Sequence, residues 1–215
     1  DRRQRQMCIR DSKGGARISA IAFGIGQYGY VGTGYNGNYQ KDFYRFDPQA
    51  AAGQQWEIVN GFGGQKRQGG TSFVIDDKAY ICCGVNNGSY VYDFWCFDPS
   101  TGVFTQLRDI ADTSDDDYDD DYTSIVRANA VSFVIDGKGY LVTGEYGSLL
   151  SNYWIYDPAT DLWEGEDLTA FEGSVRKNAV AFSTGTRGFV VTGQASSSYY
   201  DDTWEPVSYT HLRAH

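Results

Sequence analysis

Four segments of this 215-residue chain repeat one another, and the repeat decides what the chain can fold into. The first comprises residues 17–23, 29–34, 42–48 and Trp56; the second 67–73, 79–84, 93–99 and Phe104. The third comprises 127–133, 139–144, 152–158 and Trp163; the fourth 176–182, 188–193 and 202–205, where it stops. Gly34, Gly84, Gly144 and Gly193 close the second run of each unit and lie 50, 60 and 49 residues apart. Every unit opens on an arginine and carries an apolar run, a turn, a second run of β-branched and aromatic residues, and a third. In the first three units that third run stops at aromatic-Asp-Pro, and a Trp or Phe opens a fourth. A unit of this size cannot bury both its faces alone, so neighbouring units must stack.

Local signals make the runs strands. Residues 73–75, Asp76-Asp77 and 78–83 read as a hairpin with a two-residue turn, and Asp136-Gly137 marks the same turn in the third unit. Pro48, Pro99 and Pro158 end the third strand, because proline has no amide hydrogen for a ladder. The 26 glycines and the 16% aromatic content fit tight turns and large packing groups. Tyr44, Trp95, Trp154 and Trp204 recur at one site as packing material between units. Residues 1–12 and 207–215 fall outside the pattern and read as adaptor-derived segments that are not native. Setting them aside removes Cys8, His211 and His215 and leaves 13 basic against 26 acidic residues. Such a polyanion is a poor partner for nucleic acid or anionic membrane surfaces. No stretch is long and apolar enough for a transmembrane helix.

These elements resemble kelch-repeat β-propellers, particularly those of Bacteroidetes-type bacteria, across residues 17–205. The resemblance implies an all-β fold: a kelch-type propeller fragment of three complete four-stranded antiparallel blades plus a truncated fourth. The propeller would occupy 13–206, with blades near 17–60, 67–108, 127–168 and 176–205. Closed propellers of this family usually have about six or seven blades, so further blades of a parent chain are expected. The resemblance also implies an exported or surface protein of the periplasm or cell surface, and leaves activity open.

Chemistry is constrained mainly by what is missing. Kelch relatives include copper-radical oxidases such as galactose oxidase, which need two histidines; the repeat region has none. Histidine-dependent hydrolases and His-ligated zinc fail on the same ground, and no phosphate-binding loop is present. No catalytic residue, metal site or cofactor is therefore assigned. Arg17, Arg67, Arg127 and Arg176 are the candidate ligand-binding residues, as a positive ring at one channel mouth that could hold an anion. The structural alternative ties each guanidinium to blade-edge carbonyls or to an Asp of the next blade. The acidic insertion at 112–122 has seven aspartates that suit Ca²⁺, but it lacks an EF-hand spacing and reads as a mobile, solvated loop. Loops at 35–39, 85–91 and 195–200 are rich in Tyr, Asn, Gly and Ser, a composition suited to recognition or to ordinary turns. Cys82 and Cys83 read as core filling, and one of them could in principle bridge Cys96. The preferred function is a non-catalytic binding module for a protein or glycan ligand. The alternative is a sugar-processing enzyme, sialic-acid epimerase-like, with the arginines on a substrate carboxylate and Glu145 as base.

Overall fold

The computed structural model describes residues 14–165 and 170–205, and every regular element in them is a strand. The segments read as adaptor-derived, 1–12 and 207–215, lie outside the described residues.

Blade one is β1 (Ile21–Ile25), β2 (Tyr28–Gly32), β3 (Phe43–Phe46) and β4 (Trp56–Val59), hydrogen-bonded in that order. Blade two has β5 (Thr71–Ile75) and β6 (Lys78–Cys82), then a small outlying hairpin of β7 (Val85–Asn86) and β8 (Ser89–Tyr90). It finishes with β9 (Trp95–Asp98) and β10 (Val103–Gln106). Blade three repeats the plan with β11 (Val131–Ile135) and β12 (Lys138–Val142), the hairpin β13 (Glu145–Tyr146) and β14 (Ser148–Leu149), then β15 (Tyr153–Asp157) and β16 (Leu162–Glu164). Blade four holds β17 (Val180–Ser183), β18 (Gly188–Val191) and β19 (Thr203–Trp204). Three four-stranded antiparallel blades and a shorter fourth are thus present, each β1-type strand packing beside the next along the series β1, β5, β11, β17.

The turns form as their residues dictate. Asp76, Asp77, Asp136 and Gly137 all have positive φ, the requirement of a type I′ hairpin. At each aromatic-Asp-Pro stop the aspartate side chain accepts an N–H from two residues on: Gln49 to Asp47, Ser100 to Asp98, Ala159 to Asp157, each at 2.9 Å. Proline ends the ladder, and the Asx turn redirects the chain.

Blades are held together by an aromatic wedge. The ring of Phe73, stacked on Tyr80, presses on Gly139 of the next blade; a Cβ at Gly139 would lie 2.3 Å from that ring. Phe133, stacked on Tyr140, meets Gly188 in the same way, at 2.2 Å. In the first joint Phe23 and Tyr30 lie over Phe97, and Ala79 takes the glycine's position. Three apolar clusters result, one per joint. Aromatic rings need a flat, shallow floor, and only a residue with little or no side chain provides it.

Gly139→Val and Gly188→Val should each lower the urea midpoint, by about 1–3 kcal/mol of stability, since the added atoms overlap a buried ring that cannot retreat. Equilibrium unfolding followed by tryptophan fluorescence measures it, and unchanged midpoints would contradict the wedge.

Candidate functional site

The four arginines do not form a ring at the channel mouth. Arg67, Arg127 and Arg176 are fully buried at 0% exposure, and Arg17 is nearly so. Each lies inside its own blade and binds the carbonyl 16 residues on: Thr33 (2.9 Å), Cys83 (3.3 Å), Thr143 (2.9 Å) and Thr192 (2.8 Å). Each also meets the acidic or amide residue that precedes the third strand. Arg17 pairs with Asp42 at 2.5 and 2.9 Å, Arg67 with Asp93, and Arg176 with Asp202 at 2.5 and 2.9 Å. The carboxylate therefore comes from the same blade, not from the next. Arg127 faces Asn152 instead, bonding its Oδ1 at 3.0 Å and its carbonyl at 3.1 Å. With no carboxylate partner, burial drives its guanidinium down to about 10. The ring fails because the guanidiniums reach sideways to satisfy buried carbonyls, which leaves no face for a ligand.

The same arginine joins its blade to the one before. Gly34 N–H donates to the Arg67 carbonyl (2.7 Å), Gly84 to Arg127 (2.8 Å) and Gly144 to Arg176 (2.9 Å). Both ends of this joint need unusual backbone. Thr33, Cys83, Thr143 and Thr192 have φ of 58°, 65°, 64° and 59°, although threonine disfavours that region. Positive φ at that residue and at the glycine after it aims one carbonyl at the guanidinium and one N–H at the neighbouring blade. A second ladder lies at the axis, where Ser19, Gly69, Asn129 and Asn178 also take positive φ. Gly69 N–H donates to Ser19 C=O (3.0 Å), Asn129 to Gly69 (2.8 Å) and Asn178 to Asn129 (3.0 Å). These residues escaped the sequence reading. Their shared signal is a type tolerant of positive φ two residues after each arginine.

The loops after each second strand are the accessible part of this end of the molecule. They fold as small hairpins or bridges, and Ile18, Gln68, Ala128 and Lys177 pair with Tyr35, Val85, Glu145 and Gln194 to plant them above the arginines. Between the blade-two and blade-three hairpins lies a cleft of about 410 Å³. Tyr90, Tyr92, Tyr122 and Tyr146 line it, with Ser89 and Thr123 beside them. Tyr146 is 52% exposed, and its ring lies 4.5 Å from that of Tyr90. The Tyr90 hydroxyl accepts the Gly147 N–H at 2.9 Å, which fixes the ring and leaves its own proton to donate. Beside the cleft, Glu145 accepts from Asn129 (2.9 Å) and from the Lys177 ammonium (2.7 Å). The sequence reading placed Glu145 as the base of the enzyme alternative and missed both donors.

The acidic insertion forms one wall of the cleft through Ala111, Tyr122 and Thr123. Six of its seven aspartates are exposed, as a solvated loop requires, and the seventh turns inward. The carboxylate of fully buried Asp119 accepts N–H groups from Thr113 and Ser114 at 3.0 Å and the Ser114 hydroxyl at 2.9 Å. Tyr122, also buried, accepts the Trp163 N–H at 2.8 Å and pins the insertion to blade three. Asp112, Asp119 and Asp120 offer oxygens within 4.8 Å of one another, but Asp119 already spends its oxygens on the loop. Cys82, Cys83 and Cys96 are free thiols, the first two fully buried, so the bridge considered from sequence is not formed.

Comparison with known proteins agrees with this architecture. Residues 66–109, blade two with its opening arginine, match the Kelch motif family. A solved structure titled "Structure of YjhT" superposes with a TM-score of 0.65 at 18% identity, over 84% of this chain and 60% of that one. The chain thus spans about three-fifths of that protein's length. No curated protein sequence matches the chain.

Two outcomes test the arginine clamp. Asp93→Ala strands the fully buried Arg67 and should cost about 3–5 kcal/mol in urea unfolding. The hydrogen bond from Arg176 holds the Asp202 carboxyl down at about 2. A depressed carboxylate contributes stability that is complete above its unfolded value of about 3.9 and is lost as pH falls toward 2. Asp202→Asn should therefore flatten that part of the acid limb of a stability–pH curve; an unchanged limb would show that the pair contributes nothing there.

Proposed function

Starting from a kelch-repeat β-propeller whose four repeated arginines are internal to their blades, we propose that this chain is a non-catalytic binding module of an exported or surface bacterial protein. Its ligand is a carbohydrate taken into the tyrosine cleft. The observation that carries the reading is the cleft between the blade-two and blade-three hairpins, concave and lined by four tyrosines, with Tyr146 half exposed. Pyranose rings offer apolar C–H faces to aromatic rings and hydroxyls to polar groups, and tyrosine supplies both. The chain's formal charge is −10, so a neutral sugar suits it better than an acidic one. Location outside the cytoplasm follows from the family resemblance.

The sugar-processing alternative needs the arginines on a substrate carboxylate and Glu145 as a free base. The arginines are buried, and Glu145 is engaged by Asn129 and Lys177. Both facts favour the binding reading.

A glycan array carrying neutral and acidic oligosaccharides, followed by titration calorimetry with the best neutral hit, tests the proposal. Tyr146→Ala should weaken that binding by about 3- to 10-fold, the worth of one aromatic contact, with an unchanged unfolding midpoint. Full affinity in the variant would remove the cleft from consideration. Turnover of a sugar anomer by the wild type, lost in Glu145→Gln, would replace binding with catalysis.

A further inference from the structure

Two departures from the repeat meet at one joint. Blades one, three and four carry Thr33, Thr143 and Thr192 before the closing glycine of the second run, whereas blade two carries Cys83. Blades one, two and four carry Asp42, Asp93 and Asp202 opposite the arginine, whereas blade three carries Asn152. The glycine that follows bonds the next blade's arginine, so Thr33 stands at the joint to Arg67, Thr143 at the joint to Arg176, and Cys83 at the joint to Arg127. Arg67 and Arg176 have their aspartates. The thiol thus stands beside the arginine that has no carboxylate.

Cys83 and Arg127 are both fully buried at 0% exposure. They share one carbonyl: Ile125 C=O accepts from Arg127 Nε at 3.1 Å and lies 3.7 Å from the Cys83 sulfur. The remaining guanidinium N–H groups go to the carbonyls of Thr143 (2.9 Å), Asn152 (3.1 Å) and Ser124 (2.6 Å) and to Asn152 Oδ1 (3.0 Å). Every one of these acceptors is neutral. Hydrogen bonding to the cation is complete while its charge is unbalanced, and a buried charge without a counter-ion is costly. A Cys83 thiol would add only a weak donor to a carbonyl already taken. A thiolate would add the missing charge.

The groups that face Cys83 favour that form. Burial pushes its thiol up, but a hydrogen bond from Cys82, the Arg127 charge, the Arg127 backbone N–H and the Arg67 charge outweigh burial and bring it below the ordinary value. Cys82, its neighbour in sequence, goes the other way, pushed up by the bond to Cys83 and by burial. Asp93, the nearest carboxylate of its blade, is bound to Arg67. Tyr80, Tyr122, Tyr156 and Cys96 belong to the same cluster, and burial holds all four in their neutral forms.

We propose that Cys83 is the counter-ion of Arg127: its sulfur carries the negative charge that Asn152 cannot supply, and the buried thiolate–guanidinium pair locks the joint between blades two and three. The pair lies directly beneath the tyrosine cleft, whose wall includes Val126, the residue between Ile125 and Arg127. It does not depend on the carbohydrate reading. It makes this joint sensitive to pH. A depressed thiol contributes stability that is complete above its unfolded value of about 8.5 and is lost as pH falls through its folded value.

The full chain carrying Cys8→Ser and Cys96→Ser keeps Cys82 and Cys83, and ultraviolet absorbance of the thiolate follows both as pH is raised. One thiolate should form below the ordinary midpoint of about 8.5 and the other above it. Cys83→Thr should remove the early step, and Cys82→Ala should retain it. Asn152→Asp, which restores a carboxylate to Arg127, should raise the early step by about one pKa unit. Thr and Asp are the residues that the other blades carry at these positions, so both variants keep the fold. The urea midpoint of the parent chain should rise with pH toward about 8.5, and that of Cys83→Thr should not. Two thiols that both titrate at the ordinary value or above it overturn the proposal. So does an early step that survives Cys83→Thr, or one that Asn152→Asp leaves in place.

Discussion

Everything in this fold hangs on the arginine that opens each blade. A four-stranded blade has an open end where the first, second and third strands meet, and the carbonyls there have no ladder partner. The guanidinium, with five donors in a planar fork, satisfies several of them at once and brings a counter-charge from the head of the third strand. Buried carbonyls left bare would be costly, and a buried cation left unpaired more so, so each group stabilises the other only when all are in place. The arginine's own carbonyl then receives the N–H of the preceding blade. One residue thereby closes a blade and aligns it with its neighbour, which is why the position is invariant among the four units while the fourth-strand aromatic is not.

The strain stored at Thr33, Cys83, Thr143 and Thr192 follows from the same demand. A β-branched residue in the left-handed region costs on the order of 1–2 kcal/mol, and no turn signal advertises it. Its recurrence in every blade shows what compels it: the carbonyl must point back at the arginine while the following glycine points forward to the next blade. Asparagine or glycine would relieve the strain but would not fill the buried pocket that Thr33, Cys83 and Thr143 occupy at 0% exposure. Packing therefore outweighs local preference at this site.

Much of the architecture was legible in the sequence because its signals are local and repeated: the Asp-Gly and Asp-Asp turns, the aromatic-Asp-Pro stops, and the spacing of Gly34, Gly84, Gly144 and Gly193. The arginines show the limit of such reading, which offered both a ligand ring and a clamp on blade carbonyls. Repetition marked them as important, but a sequence does not say which way a side chain points, and a buried clamp and an exposed ring have the same spelling. The insertion at 112–122 was read correctly in the main, since six of its seven aspartates are exposed, but its anchors were not legible. Its composition reads as solvated, yet one aspartate, Asp119, turns inward to bind the loop's own N–H groups, and Tyr122 anchors the far end. The tyrosine cleft was signalled only in part: Tyr90 lies in the loop 85–91 whose composition suited recognition, whereas Tyr122 and Tyr146 come from two other loops and join it only after the blades have stacked.

Symmetry and its violations divide the labour in this molecule. Residues that recur at every blade, the arginines, the wedge phenylalanines and the axial ladder, have been accounted for by packing and hydrogen bonding within and between blades. The departures cluster on one side of one end. Blade three replaces the clamp aspartate with Asn152 and carries Glu145 where the others have Tyr35, Val85 and Gln194, and the long insertion precedes it. Glu145 and the insertion change loops outside the joints, and Asn152 still accepts from Arg127 through its Oδ1 and its carbonyl, so the scaffold tolerates all three. A binding site on a repeat protein has to be built from what does not repeat. Here that material is concentrated at the cleft between blades two and three, above joints rigid enough to hold its tyrosines in place.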